Sequence, residues 1–190
     1  MATAMELTPF ASVDTTALRW LRTAPSPISF ELSAGDSPIG RLAWARDSGS
    51  LATWTTSDGS TTLKRVGFFH PRVTARSGSD PRDIARVSVH LNHHRIELAH
   101  GPAYRFHRAG LLVPAWQVST EAGVECLHIE PVREGRELAG GAVVTSPAAS
   151  KRPELPLLLA LSWYVIVLAW FEDEALVPFE GPDAPPTASP

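Results

Sequence analysis

Two hydrophobic patterns divide the chain. From Ile28 to Thr145, short runs alternate apolar and polar residues and are separated by turn residues such as Gly35-Asp36 and Asp58-Gly59. The turns recur about every ten residues, which is the spacing of antiparallel β-hairpins. From Leu155 to Phe171 the sequence LPLLLALSWYVIVLAWF contains no charged residue. The two patterns predict ten to twelve strands followed by one helix that is apolar on every side.

The arrangement of these elements predicts a closed sheet. No helical pattern lies between the strands to connect parallel neighbours, so the sheet is expected to be antiparallel. Closure removes exposed strand edges, and a barrel of eleven or twelve strands has a lumen that a central helix can fill. The apolar run, about 25 Å long as a helix, has a suitable length. We therefore predict a mainly β fold, a closed antiparallel barrel of about 12 strands around a C-terminal hydrophobic helix at 154–171.

The charges around this helix favour a second interpretation. Lys151-Arg152 precede it and Glu172-Asp173-Glu174 follow it, the reverse of the arrangement that the helix dipole favours. The same polarity fits a transmembrane anchor with a cytoplasmic body, and Trp170 would then lie at the membrane interface. Seventeen apolar residues are at the short limit for a membrane span. The sequence leaves both a barrel plug and a membrane anchor open.

The two ends of the chain differ from its middle. A weak helical pattern around Leu18 and Trp20 ends at a Pro-rich break, and the last residues are rich in proline with little apolar content, which predicts disorder. No basic region followed by an apolar stretch marks a secretory signal, so a cytoplasmic location is expected. The predicted organisation is an N-terminal leader at 1–26, a barrel domain at 27–172 and an acidic, Pro-rich disordered tail at 173–190.

Composition restricts the partners. The chain has 190 residues, 44% of them hydrophobic, and a formal net charge of −3, so one folded domain without a global attraction to nucleic acid is expected. Fifteen of the seventeen basic residues are arginines. Cys126 is the single cysteine, which excludes an internal disulfide. Any site for an anion must therefore be a local patch.

Several segments resemble one protein family. Lys64-Arg65-Val66-Gly67-Phe68-Phe69, the strand Gly101 to Phe106 with the following Pro114-Ala115-Trp116, and the helix that begins Glu154-Leu155-Pro156-Leu157-Leu158-Leu159 resemble the tubby C-terminal-like superfamily, which includes LURP-one-related and phospholipid scramblase-like proteins. The resemblance covers residues 27 to 172. It implies a twelve-stranded barrel around a C-terminal helix. Tubby binds phosphoinositide head groups, whereas many relatives have no assigned activity, and no ligand residue carries over position by position.

The residues that most often carry catalysis lack suitable partners. Cys126 and His128 share a strand face at i and i+2, but a lone cysteine between Glu125 and Leu127 is usually a small core residue. Gly35-Asp36-Ser37 is similar to the sequence at the start of one class of serine hydrolases, in which a helix follows the nucleophile. Here a strand follows, which indicates a hairpin turn. A cluster of five histidines lacks the spacing of a zinc site; its members are His90, His93, His94, His100 and His107. We predict a protein that is not an enzyme and needs no metal or cofactor.

Arginines supply the best candidate site. Arg72 and Arg76 flank Thr74 on one face of a predicted strand, and neighbouring strands can add further cations. Such a surface can hold a phosphate or a lipid head group by charge-assisted pairs. Alternatively, the arginines pair with Asp80, Asp83 and Glu97 on a solvated face. The predicted lipid- or anion-binding residues are Lys64, Arg65, Arg72, Arg76, Arg82 and Arg86.

Two functions follow from these observations. The first is a non-enzymatic module that recognises anionic lipid head groups, phosphoinositides among them, at a membrane surface. The alternative is a structural subunit of a larger membrane assembly, with a protein partner and with 155–171 as a transmembrane anchor. Both predict a cytoplasmic, membrane-associated protein without a nucleic-acid partner.

Overall fold

The computed structural model describes residues 6–46, 49–67, 71–78, 80–89, 93–110 and 115–176. A short 3-10 turn, Phe10–Ser12, precedes the sheet. The strands are β1 Ala17–Pro25, β2 Ile28–Ala34, β3 Ser37–Trp44, β4 Leu51–Thr56, β5 Gly59–Val66, β6 Arg72–Ser77, β7 Ala85–Val89, β8 His94–Leu98, β9 Ala103–Ala109, β10 Ala115–Thr120, β11 Glu125–Glu134 and β12 Glu137–Thr145. One helix, α1 Leu155–Leu176, follows them.

The strands form one closed antiparallel barrel. Each strand pairs with its neighbours in sequence, and β12 closes the sheet on β1 with Trp20 opposite Gly141. Closure leaves the sheet without an unpaired edge, which accounts for the regular hairpin pattern in the sequence. The predicted fold class is confirmed.

The first strand corrects the prediction for the N-terminal region. β1 lies inside the segment 1–26 that the sequence analysis assigned to a leader, and it is extended rather than helical. Leu18 and Trp20 are buried whereas Arg19 and Leu21 are exposed, which is the alternation of a strand. The apolar residues of this short segment also fit a helical spacing, so their pattern alone does not distinguish a strand from a helix. Residues 177–190 of the predicted tail lie outside the described residues, and α1 continues past 171 to Leu176.

Helix α1 occupies the interior of the barrel. Every residue from Leu158 to Val167 is buried, so more than two turns are covered by protein on all sides. This arrangement decides between the two interpretations of the apolar run, because the segment proposed as a membrane anchor is the filling of the barrel. Among the residues that the structure describes, no helix is both long enough and apolar enough to cross a membrane.

Stacked aromatic rings connect the helix to the barrel wall. The ring of Trp163 stacks on that of Trp20 at a centroid distance of 5.4 Å, and Tyr164 stacks on Trp44 at 5.5 Å. The wall makes room for these rings with glycine: a Cβ on Gly141 would lie 2.8 Å from the ring of Trp163. The helix and the strands are therefore fitted to each other side chain by side chain.

A polar cluster fixes the start of α1. The buried hydroxyl of Tyr104 donates a 2.6 Å hydrogen bond to Glu154, and Arg152 donates to the same hydroxyl at 3.1 Å. Burial opposes ionisation of Glu154, but the hydrogen bonds from Tyr104 and Arg152 outweigh it and hold the pKa of the carboxyl below its ordinary value. At the other end of the helix, the guanidinium of Arg133 lies 4.0 Å from the ring centre of Trp170, a cation–π contact.

Candidate anion-binding surface

The outer faces of β5, β6 and β7 bring several cations together. Thr74 on β6 lies opposite Lys64 on β5 and Arg86 on β7. Arg72 shares this outward face two residues before Thr74, while Val73 between them is buried in the barrel. Val73 and Ala75 face the interior as predicted, whereas Thr74 on the opposite face is also buried, at 5% exposure; Lys64, Arg72 and Arg86 lie around it.

Asp83 engages part of the predicted set. Its carboxylate accepts hydrogen bonds from Arg76 at 2.8 Å and from Arg86 at 3.0 Å. The hydrogen bond from Arg76, supported by Arg86, holds the pKa of Asp83 below its ordinary value although the carboxyl is largely buried. These two arginines therefore have part of their charge compensated by the protein itself, as the alternative interpretation expected.

The remaining two predicted residues lie apart from this group. Arg82 pairs with Asp80 at 2.9 Å in the connection between β6 and β7. Arg65 lies opposite the buried Val73, on the other face of β5, and its backbone N–H donates to the hydroxyl of Tyr164 at 3.1 Å. The structure thus places Lys64, Arg72, Arg76 and Arg86 on one outer face and separates Arg65 and Arg82 from it.

Two arginines that the sequence analysis did not select extend the surface. Arg95 on β8 lies opposite Ser88 on β7 and Arg105 on β9, and Ser88 in turn lies opposite Arg72. Arg72, Ser88, Arg95, Arg105 and Ser119 consequently form one row across five strands, about 19 Å long at about 4.8 Å per strand. We call the cations of this row and of the neighbouring row through Thr74 the cationic face: Lys64, Arg72, Arg86, Arg95 and Arg105; Arg76 lies one row further along β6.

The sequence indicates on which face of their strands these two arginines lie, but not that they lie opposite each other. Arg95 precedes the buried Ile96, and Arg105 lies between the buried Tyr104 and Phe106, so alternation alone assigns both arginines to the outside. Their position opposite each other depends on the register between β8 and β9, which the sequence does not show.

A groove lies over β8, β9 and β10 next to this row. Its volume is about 760 Å³, and its lining residues are His93, His94, Arg95, Arg105, His107, Gln117, Ser119, Glu121 and Gly123. Arg95 pairs with Glu121 at 2.7 Å and with Glu97 at 3.4 Å. Arg105 makes no ion pair with any residue of the described ranges. We call this feature the β8–β10 groove.

The cysteine, the histidine beside it and the Gly-Asp-Ser segment considered in the sequence analysis lie in surroundings typical of structural residues. Burial raises the pKa of the Cys126 thiol, which disfavours the reactive thiolate. His128 contacts Glu130 at 3.2 Å rather than the thiol, and Gly35-Asp36 forms the hairpin turn between β2 and β3. Among the residues that the structure describes, no group of three or more His, Cys, Asp or Glu side chains is arranged to hold a metal ion.

Comparison of the chain with protein-family models, with curated proteins and with solved structures gives no match. The family suggested by the sequence therefore stays a prediction.

Proposed function

We propose that this protein is a non-enzymatic binding module that recognises anionic lipid head groups at a membrane surface. The observation that carries the proposal is the cationic face, where five outward cations occupy adjacent strands of a chain whose net charge is −3. The tubby-like resemblance supports the same function.

The composition of the face suits phosphate recognition. Guanidinium groups offer planar pairs of N–H donors that match phosphate oxygens. Ser88, between Arg72 and Arg95, can add a hydroxyl hydrogen bond, whereas Thr74 is buried and its hydroxyl donates to the carbonyl of Lys64. Each lysine or arginine near an anionic membrane surface contributes about 1 kcal/mol, so several together can retain a small domain.

Vesicle binding by charge-reversed variants tests this function. Lys64→Glu combined with Arg72→Glu changes two exposed cations that make no ion pair with the described residues. We expect this variant to lose retention on phosphoinositide-containing vesicles at low salt, and we expect wild-type retention to fall steeply as salt rises because added ions screen these contacts over about 8 Å at physiological strength.

The matched control reverses the same charge elsewhere. Arg19 on β1 and Arg136 in the turn between β11 and β12 are exposed and lie away from the cationic face. Arg19→Glu combined with Arg136→Glu should retain binding. Equal loss in both double variants, or a wild-type protein that ignores these vesicles at low salt, would refute head-group recognition by this face.

One observation favours the second function, a structural subunit with a protein partner. The outer surface around β12 carries exposed apolar residues: Leu21 and Val132 flank Gly140 in register, and Val144 is 57% exposed, while the charged Arg19 and Glu130 flank Ala142 between these positions. Exposed apolar patches often mark protein contacts. If the vesicles are not bound, recovery of a stoichiometric protein by gentle purification becomes the test of this alternative.

A further inference from the structure

Two arginines face each other directly in the β8–β10 groove. Arg95 and Arg105 are paired across β8 and β9, and both side chains are exposed. Opposite residues of an antiparallel pair have Cβ atoms about 5 Å apart, where like charges are destabilising. Glu121 and Glu97 both pair with Arg95, whereas Arg105 has no acidic partner in the described part of the chain. An anion between the two guanidinium groups would offset this repulsion.

Side chains that can donate hydrogen bonds lie around the same position. His107 and Gln117 lie opposite each other on β9 and β10, and Ser119 lies opposite Arg105. Imidazole, amide and hydroxyl groups can each donate to an oxyanion. Ser119 is only 6% exposed, so it lies at the base of the groove while the arginines form its side.

The size of the groove exceeds what a bare ion needs. Its volume of about 760 Å³ lies within the range of about 300–1,000 Å³ that is usual for small-molecule sites. At the end of the groove that Glu121 lines, the carboxylate can accept hydrogen bonds from a ligand hydroxyl while it holds Arg95. The groove therefore fits a charged group attached to a small polar body.

We propose that the β8–β10 groove binds a phosphate monoester, with the phosphate between Arg95 and Arg105. A monoester near neutral pH carries a charge of about −1.5 to −2 and three terminal oxygens, enough for two guanidinium groups and a neutral donor. A phosphodiester carries one charge and two terminal oxygens, so it satisfies this site less well. The inference rests on the proposed function, because the groove belongs to the cationic face, and it adds a preference between phosphate classes.

Two pairs of probes separate a lipid source of the monoester from a soluble one. The soluble pair is glycerol 3-phosphate and dimethyl phosphate, titrated into the full chain by calorimetry. The lipid pair is phosphatidylcholine vesicles with phosphatidic acid, a monoester, or with phosphatidylglycerol, a diester, at matched surface charge. We expect binding to prefer the monoester in at least one pair.

Arg105→Gln tests the residue that carries the preference. The variant keeps a polar side chain at an exposed position and removes a repulsion, so the fold should be retained. We expect monoester affinity to fall about tenfold or more, as loss of a hydrogen bond to a charged group implies. Arg41→Gln on β3, across the barrel from β9, is the matched control and should leave the affinity unchanged.

The outcomes separate this inference from the proposed function. Vesicle binding without a monoester preference, or a preference that Arg105→Gln does not reduce, overturns the inference and leaves head-group recognition standing. A preference for glycerol 3-phosphate that requires Arg105, without vesicle retention, supports the groove with a soluble ligand and refutes the lipid function. Absence of binding to all four probes overturns the inference, and the phosphoinositide-containing vesicles described above then decide the lipid function.

Discussion

The two tyrosines show how strongly this barrel shields single polar groups. The chain contains only Tyr104 and Tyr164, and both are fully buried. Burial raises the pKa of each phenol to about 12; for Tyr104 the hydrogen bond and charge of Glu154 contribute to this rise, against the opposite effect of Arg152. The hydroxyl of Tyr164 donates to the carbonyl of Ser50. Each phenol thus occupies a site built for its neutral form.

Alkaline titration followed by the ultraviolet absorbance of phenolate tests this shielding. A folded-state pKa above the unfolded value of about 10 gives stability that is fully present below pH 10 and is lost as the pH rises towards 12. We therefore expect no phenolate at pH 10 and ionisation together with unfolding at higher pH. A tyrosine that titrates near pH 10 while circular dichroism remains native would contradict the prediction.

At the scale of elements, glycines in the strands fit the barrel wall to its aromatic filling. A Cβ on Gly40 of β3 would lie 2.0 Å from the ring of Trp54, and one on Gly141 of β12 would meet Trp163. Both rings are buried, with the Trp20 ring between them, so neither has free space into which it can move. The small residues are therefore part of the packing and not merely breaks in strand propensity.

Alanine substitution measures this fit. Gly40→Ala and Gly141→Ala should each lower the free energy of unfolding by about 1–3 kcal/mol, the usual cost of overpacking, as seen in denaturant midpoints. Gly49→Ala is the control, because the nearest atom to its Cβ would be 4.0 Å away. Equal midpoints for all three variants would show that the wall adjusts to a methyl group without cost.

At the scale of the whole molecule, α1 and the barrel depend on each other. The helix contributes a continuous series of buried residues from Leu158 to Val167, and its Trp163 contacts Trp20 and Phe30 of the wall. Without the helix, twelve strands would surround a lumen with no filling. The barrel is therefore expected to require α1 for its own stability.

Deletion of residues 154–190 tests this dependence. We expect an insoluble or molten product with lost near-ultraviolet circular dichroism, measured by fractionation and thermal unfolding. Deletion of 177–190 alone is the control, since it leaves every described element in place, and it should give a soluble protein. A soluble 1–153 fragment with an unchanged melting temperature would sink the plug interpretation.

The sequence by itself determined the strand pattern, the antiparallel closed sheet and the uniformly apolar helix, because alternation and a charge-free run are local properties of the chain. It also indicated that Arg72 and Arg76 face outward. It did not identify β1, whose short apolar pattern fits both a strand and a helix. Only the tertiary structure enclosed the helix in protein instead of lipid, since a uniformly apolar helix is compatible with either. Only the strand register placed Arg95 opposite Arg105 and joined them to Arg72, because pairing between strands depends on long-range contacts that no local pattern encodes.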